Sequence, residues 1–162
     1  MHHGKKYNIT PYGTETMHVL RAEKGFIIVG QDTDGSVTPM DMNMDWIVSK
    51  KKQDFLGKRS FTRSDTLRSD RKKFVGLLVN DKKTVLPEGS HIVEKALKQP
   101  PMKMLGHVTS SYYSPILGHP IALAMIKNGM NLLGEKVEIP LMNGKVIDCL
   151  LYTSDAADDG VG

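Results

Sequence analysis

Cysteine is nearly absent from this 162-residue sequence, and long apolar runs are missing altogether. The single cysteine, Cys149, excludes an internal disulfide and a metal site built from several cysteines. No stretch approaches the roughly 20 apolar residues that a membrane-spanning helix requires. The first residues do not have the pattern of a signal peptide. The sequence therefore predicts a cytosolic chain with no membrane partner.

Aromatic residues are also scarce, at 6% of the chain, and this bears on how its basic residues are interpreted. Two basic clusters lie at residues 50–52 and 59–73. A nucleic-acid-binding segment would interleave such charges with exposed aromatics, whereas Asp65 and Asp70 interrupt the second cluster. We therefore predict a solvated linker and no nucleic-acid partner. A docking surface for an anion or another protein is the alternative.

Metal-binding patterns are missing as well. The six histidines show no zinc-type spacing with acidic or cysteine partners. Asp32, Asp34 and Ser36 suggest a calcium loop, but Gly35 stands at the fourth position where the loop needs glycine at the sixth. The sequence predicts no metal site.

The segment 12–39 organises the chain, and it begins with a predicted helix. Thr14 suits a helix start because its hydroxyl can accept hydrogen bonds from free backbone N–H groups. Gly25 is a natural stop because glycine tolerates the left-handed conformation. One apolar side of the helix is predicted from three residues, Met17, Val19 and Leu20.

Glu23 stands out in the last turn of this predicted helix. The helix dipole is unfavourable to an anion there, so a carboxylate at this position suggests a task other than helix stability. The alternative is a solvated glutamate between Arg21 and Lys24. The residue pattern alone leaves both interpretations open.

Hydropathy patterns predict the segments that follow the helix. Residues 26–29 form a continuous apolar run, typical of a buried strand or buried turn, and residues 31–38 form a polar loop. Within residues 40–46, methionines and Trp46 alternate with Asp and Asn, which predicts a half-buried strand or a flexible apolar wall. Asp54 is a predicted cap for a short helix.

From residue 74 to residue 148, short apolar stretches alternate with turn residues. Asn143 and Gly144 lie between two such stretches and form a strong hairpin signal. Several strands at this spacing predict a small antiparallel β-barrel. The polar residues 62–73 before it are predicted to be a linker. The predicted strands lie within residues 74–79, 91–93, 104–113, 121–126, 137–139 and 145–147.

The last residues, 149–162, do not continue this pattern. Residues 151–159 can be back-translated into a common sequencing adapter, so we predict that residues 149–162 form a non-native tail, outside the fold.

One stretch carries a resemblance to a known family. Leu-Arg-Ala-Glu-Lys-Gly-Phe at residues 20–26, followed by Gly-Gln-Asp-Thr-Asp and Thr-Pro, resembles the folate-binding aminomethyltransferase family, which includes the glycine cleavage T-protein. The sequence of residues 18–35 resembles the alpha subunits of heterotetrameric sarcosine oxidases even more strongly. This similarity continues through residues 46–58 and 106–127. The resemblance implies an α+β fold in a fragment of a longer protein. Residues 1–61 would be the end of the folate-binding domain, with the barrel domain at 74–148.

The resemblance also implies site residues. Glu23 matches the carboxylate that accepts two N–H groups of a reduced pterin, a bidentate contact that fixes orientation. Lys52 matches a basic residue that is arginine in the T-protein. A lysine supplies the positive charge but lacks the planar guanidinium group that can bind a carboxylate through two hydrogen bonds. Tyr112 is a candidate for stacking on the ligand, with strand-end packing as the alternative. No catalytic residue is implied, because the T-protein's catalytic aspartate matches a position upstream of residue 1.

In function, the resemblance implies the tetrahydrofolate-binding part of a sarcosine oxidase alpha subunit. It would capture the one-carbon unit from oxidative demethylation of sarcosine as methylene-tetrahydrofolate. Flavin and NAD would lie elsewhere in the parent complex, with beta, gamma and delta subunits as partners, and the fragment alone is expected to be inactive. The alternatives are a T-protein fragment, a dimethylglycine or sarcosine dehydrogenase fragment, or a non-catalytic subunit-docking module.

Overall fold

The computed structural model describes residues 2–153, which form one α-helix, six β-strands and short 3₁₀ segments. In this part of the chain, no helix is long and apolar enough to cross a membrane. The helix and strands are α1 Thr14–Glu23, β1 Lys72–Val79, β2 His91–Val93, β3 Met104–Ser114, β4 His119–Lys127, β5 Lys136–Pro140 and β6 Val146–Tyr152. The 3₁₀ segments are His2–Tyr7, Asp45–Ile47, Lys58–Thr62 and Gly129–Leu132.

The strands close into an antiparallel barrel in the order β1-β4-β3-β2-β5-β6, which confirms the predicted architecture. Closure follows from β1, which pairs with both β4 and β6. The predicted hairpin is also confirmed, because β5 and β6 pair around Gly144, whose φ of 82° suits glycine. A closed barrel leaves no long strand edge open to another chain.

The barrel interior is an apolar core to which every strand contributes. Along β4, Ala122, Ala124 and Ile126 face inward, as expected from the alternation of side chains in a strand. Burying such side chains is the dominant favourable term in folding. Other buried members of this core are Val75, Leu77, Val79, Leu86, Ile92, Val108, Val137, Ile139, Ile147, Cys149 and Leu151.

The outer face of one barrel wall is buried as well. Ile121, Leu123 and Met125 of β4 pack outward against Ala22 of α1 and Met42. The helix and the segment 26–44 therefore form a cover over β1, β4 and β3. Because β4 is buried on both faces, its sequence is a continuous apolar run.

The residues of α1 that are buried against the barrel differ from those predicted from the sequence. Met17 and Leu20, predicted to face the core, are exposed, whereas Arg21, Ala22 and Glu23 are buried. The helix meets the barrel through its last turn, where polar groups of β3 bind Arg21 and Glu23. The predicted apolar side of α1 is therefore wrong.

Neither of the two cover segments for which a strand was one of two predictions forms a strand. Residues 26–29 contain no strand, and Phe26 and Val29 are 67% and 83% exposed. Within residues 40–46, the consecutive residues Asp41 and Met42 are both buried, so the chain turns there and does not alternate. An ion pair and side-chain hydrogen bonds to Asp41 hold this segment, not a strand ladder.

The structure also moves some boundaries. Asp54 accepts a hydrogen bond from the Phe55 N–H, but the nearby 3₁₀ segment starts only at Lys58. Strand β1 starts at Lys72, inside the predicted linker. Strand β6 runs to Tyr152, beyond the predicted end at residue 148, because residues 149–152 pair with β1. The rest of the predicted tail, residues 154–162, lies outside the described residues.

Candidate functional site

Glu23 is the last residue of α1, and its carboxylate is held at the end of β3. Its exposure is only 6%, so the interpretation as a solvated surface glutamate is wrong. The Ser114 hydroxyl donates a hydrogen bond of 2.6 Å to Glu23 Oε1. Ser114 is itself fully buried. A carboxylate that the helix dipole disfavours is thus stabilised by a donor from the barrel.

The Ser114 hydroxyl is oriented by a second hydrogen bond. The Leu117 backbone N–H donates to Ser114 Oγ at 3.1 Å. Since that oxygen accepts from Leu117, its own proton is directed to Glu23. Within residues 2–153, Ser114 is the one hydrogen-bond partner that the structure gives the Glu23 side chain. The second carboxylate oxygen, Oε2, therefore keeps its capacity to accept.

Tyr112 lies two residues before Ser114 on β3, so both side chains face the cover. Its ring stacks with the His18 ring at a centroid distance of 6.1 Å and an interplanar angle of 15°. The Arg21 guanidinium lies 5.7 Å from the ring centroid, within cation–π range. Tyr112 thus packs between the helix and the barrel in this structure, next to the Glu23–Ser114 pair.

Lys52 does not lie near Glu23 and Tyr112. It lies in an exposed turn, where its backbone N–H donates to Ser49 Oγ at 3.3 Å. Across residues 2–153, the structure records no contact between the Lys52 side chain and either Glu23 or Tyr112. Of the three predicted ligand-binding residues, only Glu23 and Tyr112 share one surface.

A buried polar network fixes α1 to the barrel beside these residues. Asp32, which is 2% exposed, accepts hydrogen bonds from Arg21 Nη1 at 2.5 Å and from the Ile28 N–H at 2.8 Å. The hydroxyls of Thr109 and Ser110 donate to its other oxygen at 2.5 and 2.7 Å. Four donors on one carboxylate satisfy the buried charge.

A β-bulge makes this network possible. Val108 pairs with Ala124 and Ser110 pairs with Leu123, which leaves Thr109 as an extra residue in β3. In a regular strand, consecutive side chains point to opposite faces, whereas the bulge lets Thr109 and Ser110 reach the same carboxylate.

Neither Ser114, the Asp32 network nor His18 is recognisable as part of this site from the sequence pattern. Their partners lie far away along the chain, as Arg21 and Ser110 do. One signal was present: the run Thr109–Ser110–Ser111 within a predicted strand. Buried hydroxyls require hydrogen-bond partners, so such a run indicates polar groups packed against the strand.

The fold and the site define a small closed antiparallel barrel whose outer wall carries a helix with a buried carboxylate. Comparison with known families agrees with this class. The family model described as the glycine cleavage T-protein C-terminal barrel domain matches residues 72–154, and the GCVT N-terminal domain matches residues 1–52. The chain belongs to the glycine cleavage T-protein family.

Individual relatives give the same family. The chain is 56% identical to the sarcosine oxidase subunit alpha of Corynebacterium sp. (strain P-1) over 91% of its length, and 29% identical to an aminomethyltransferase of Pseudothermotoga lettingae over 88%. It spans 15% and 37% of those two proteins. The crystal structure of aminomethyltransferase T from Bartonella henselae matches 87% of this chain and 38% of its own, with a TM-score of 0.72 and 24% identity, which supports the fold.

Proposed function

We propose that this chain supplies the tetrahydrofolate-binding part of an enzyme subunit of the sarcosine oxidase alpha type. The observation that carries the proposal is the buried Glu23 carboxylate, which Ser114 holds through Oε1 and whose Oε2 has no hydrogen-bond donor within residues 2–153. The identity of 56% to a sarcosine oxidase alpha subunit, against 29% to an aminomethyltransferase, supports this type of subunit over a T-protein.

The residues present fit a reduced pterin. A pterin offers an amino group and a ring N–H side by side, and a carboxylate can accept from both. Such contacts orient the ligand as well as bind it, because both donors must meet one rigid group. Ser114 holds the Glu23 side chain in one rotamer, which lowers the entropy lost when the ligand binds.

Tyr112 and Arg21 have supporting roles in this proposal. Tyr112 is placed beside Glu23 by its contacts with His18 and Arg21, and it forms an aromatic wall for the ligand. The Asp32 network keeps Arg21, and with it the last turn of α1, in place. Lys52 belongs to the proposal only as an exposed charge that could meet the glutamate tail of a folate.

Tetrahydrofolate, when bound, supplies the acceptor for a one-carbon unit. The residues described here bind and orient it. In the proposed complex, sarcosine is demethylated at a flavin site elsewhere, NAD is also bound elsewhere, and beta, gamma and delta subunits complete the assembly.

Calorimetric titration of the full chain with tetrahydrofolate tests the proposal. We expect Glu23→Gln to weaken binding by roughly tenfold or more, because one charged acceptor is lost. Glu15→Gln is the matched control, since Glu15 is an exposed glutamate in the first turn of the same helix. Equal affinity of Glu23→Gln and the unmodified chain would show that Glu23 does not bind the pterin.

A further inference from the structure

A cavity of about 450 Å³ lies at the opposite end of β3 from Glu23. It is bounded by the loop 30–37, the segment 65–72 and the ends of β3 and β4. His107 lines it, seven residues before Ser114 on β3, so this residue is roughly 20 Å from the Glu23 partner along the strand. Its volume is within the roughly 300–1,000 Å³ of small-ligand sites.

Most acidic groups on the cavity wall already have an arginine partner. Burial works to raise the pKa of Asp41, but hydrogen bonds from Arg71 and Thr38 outweigh burial and hold that pKa below its ordinary value. These carboxylates are therefore compensated and do not by themselves give the cavity a negative charge. The pairs are Asp32 with Arg21, Asp41 and Asp65 with Arg71, and Asp70 with Arg68.

Two lysines on the wall are poorly compensated. Lys72 and Lys127 are directly opposite each other in the antiparallel pair of β1 and β4. Like charges in this position destabilise a sheet. Lys127 Nζ lies 4.0 Å from Asp70, a loose contact. Within residues 2–153 the Lys72 ammonium makes no ion pair or hydrogen bond, and it interacts with Asp34 only at longer range.

His107 is on the same side of the barrel wall as these lysines. It pairs with Met125, which pairs with Phe74 on the adjacent strand, two residues from Lys72. Burial and the neighbouring Lys72 lower the pKa of His107, while Asp34 works in the opposite direction. The imidazole thus remains largely neutral at neutral pH and can donate one N–H.

We propose that this cavity is a binding site for a small oxyanion, the phosphate or carboxylate group of a ligand, held by Lys72 and Lys127 with the ring N–H of His107. The anion would relieve the repulsion between the two lysines. A local arrangement that costs stability without compensation is expected at functional positions.

Asp34 is a negative charge on the cavity wall that should weaken anion binding, and its replacement therefore tests the proposal. It lies on the same cavity wall as Lys72 and His107, and its Oδ1 accepts from the N–H and the hydroxyl of Ser36 at 2.8 and 2.6 Å. These hydrogen bonds lower the pKa of Asp34, so it stays charged and repels an incoming anion. Its neutralisation should strengthen binding, whereas loss of Lys72 should weaken it.

The test is titration of the full 162-residue chain with inorganic phosphate, and separately with glutarate, at constant ionic strength. The ring resonances of His107 report binding by NMR. We expect Lys72→Gln to weaken binding about tenfold, the effect of one charge-assisted contact. Asp34→Asn is expected to tighten it by roughly threefold, since a partly screened repulsion is removed.

Matched controls separate a site from a general effect of net charge. Lys82→Gln and Asp54→Asn make the same charge changes at exposed positions away from the cavity, and we expect neither to alter binding. Circular dichroism shows whether each variant is folded. The proposal is overturned if neither anion moves the His107 resonances, or if the control variants change affinity as much as the cavity variants. Tetrahydrofolate binding at Glu23 is measured independently and does not affect this outcome.

Discussion

Replacement of Asp32 tests whether the buried network fixes the cover to the barrel. Asp32→Ala removes the acceptor of four hydrogen bonds at once. Within residues 2–153, the Arg21 guanidinium, 8% exposed, would keep the Phe26 carbonyl and Ser110 as hydrogen-bond partners and the Tyr112 ring as a cation–π contact, but no counter-ion. A buried charge left without its counter-ion is costly, so this variant should be strongly destabilised.

The size of the effect follows from this geometry. Breaking a buried ion pair by removing one partner typically costs about 3–5 kcal/mol. For a chain of this length, each kcal/mol lowers the thermal midpoint by roughly 2–4 °C, so we expect a fall of roughly 6–20 °C. Asp32→Asn keeps the volume but not the charge. It should show most of the same loss, because Arg21 remains uncompensated.

Urea and thermal unfolding followed by circular dichroism measure the change. Asp70→Ala is the control, since Asp70 pairs with Arg68 at the surface, where ion pairs contribute little. The double variant Arg21→Ala/Asp32→Ala should lose less stability than the sum of the two single variants, as expected for directly coupled residues. If Asp32→Ala were no less stable than Asp70→Ala, the network would not hold the cover in place.

Two further predictions concern the barrel. Burial, with a smaller effect from Asp148, raises the pKa of the Cys149 thiol to about 12. We therefore expect no reaction with a thiol reagent in the folded protein at neutral pH and full reaction in denaturant. Above the unfolded pKa of 9.0, the thiol ionises in the unfolded state but stays protonated in the folded state. The free energy of unfolding should therefore be unaffected by this thiol below pH 9.0 and should fall as the pH rises towards about 12. Cys149→Ala should lack this fall. At Gly106, an added Cβ would lie 2.0 Å from the Met125 carbonyl oxygen, so Gly106→Ala should lower the thermal midpoint markedly. Gly35→Ala meets no atom within 4 Å and should not; equal midpoints for these two variants would refute the close approach of β3 and β4.

The barrel could be predicted from the sequence because its signals are local. Strands such as residues 74–79 and 137–139 are short apolar stretches bounded by turn residues, and the Asn143-Gly144 hairpin is specified by adjacent residues. Each of these features depends on neighbours a few positions away. The pattern therefore determines both the strands and the turns between them.

The cover could not be predicted in the same way, because contacts that are distant in the chain determine its conformation. Asp41 is held by Arg71, 30 residues later, and the hydropathy of residues 40–46 gives no indication of that pair. The helix shows the same limit. Its buried side is selected by Ser110 and Ser114 of β3, so Arg21 and Glu23 are buried while Met17 is exposed.

Glu23 lies between these two cases. The unfavourable helix dipole suggested a task other than helix stability for this carboxylate, with a solvated glutamate as the alternative. The structure buries Glu23 and gives it a hydrogen bond from Ser114, 91 residues away. The unusual position of this carboxylate was thus visible in the local sequence, whereas its burial and its hydrogen-bond donor were not.

The burial of both faces of β4 has a consequence for the alignment of the barrel strands. Small residues, Ala122 and Ala124, face the interior, and the larger Leu123 and Met125 face the cover. A slip of one residue along β1 or β3 would exchange these two sets, placing bulk in the narrow interior and leaving gaps beneath α1. Many antiparallel sheets face solvent on one side and select their alignment through the other side alone. In this barrel, packing against the cover fixes the strand alignment in addition to packing in the interior. The helix that carries Glu23 therefore also helps to place Ser114 of β3 where it can reach the Glu23 carboxylate.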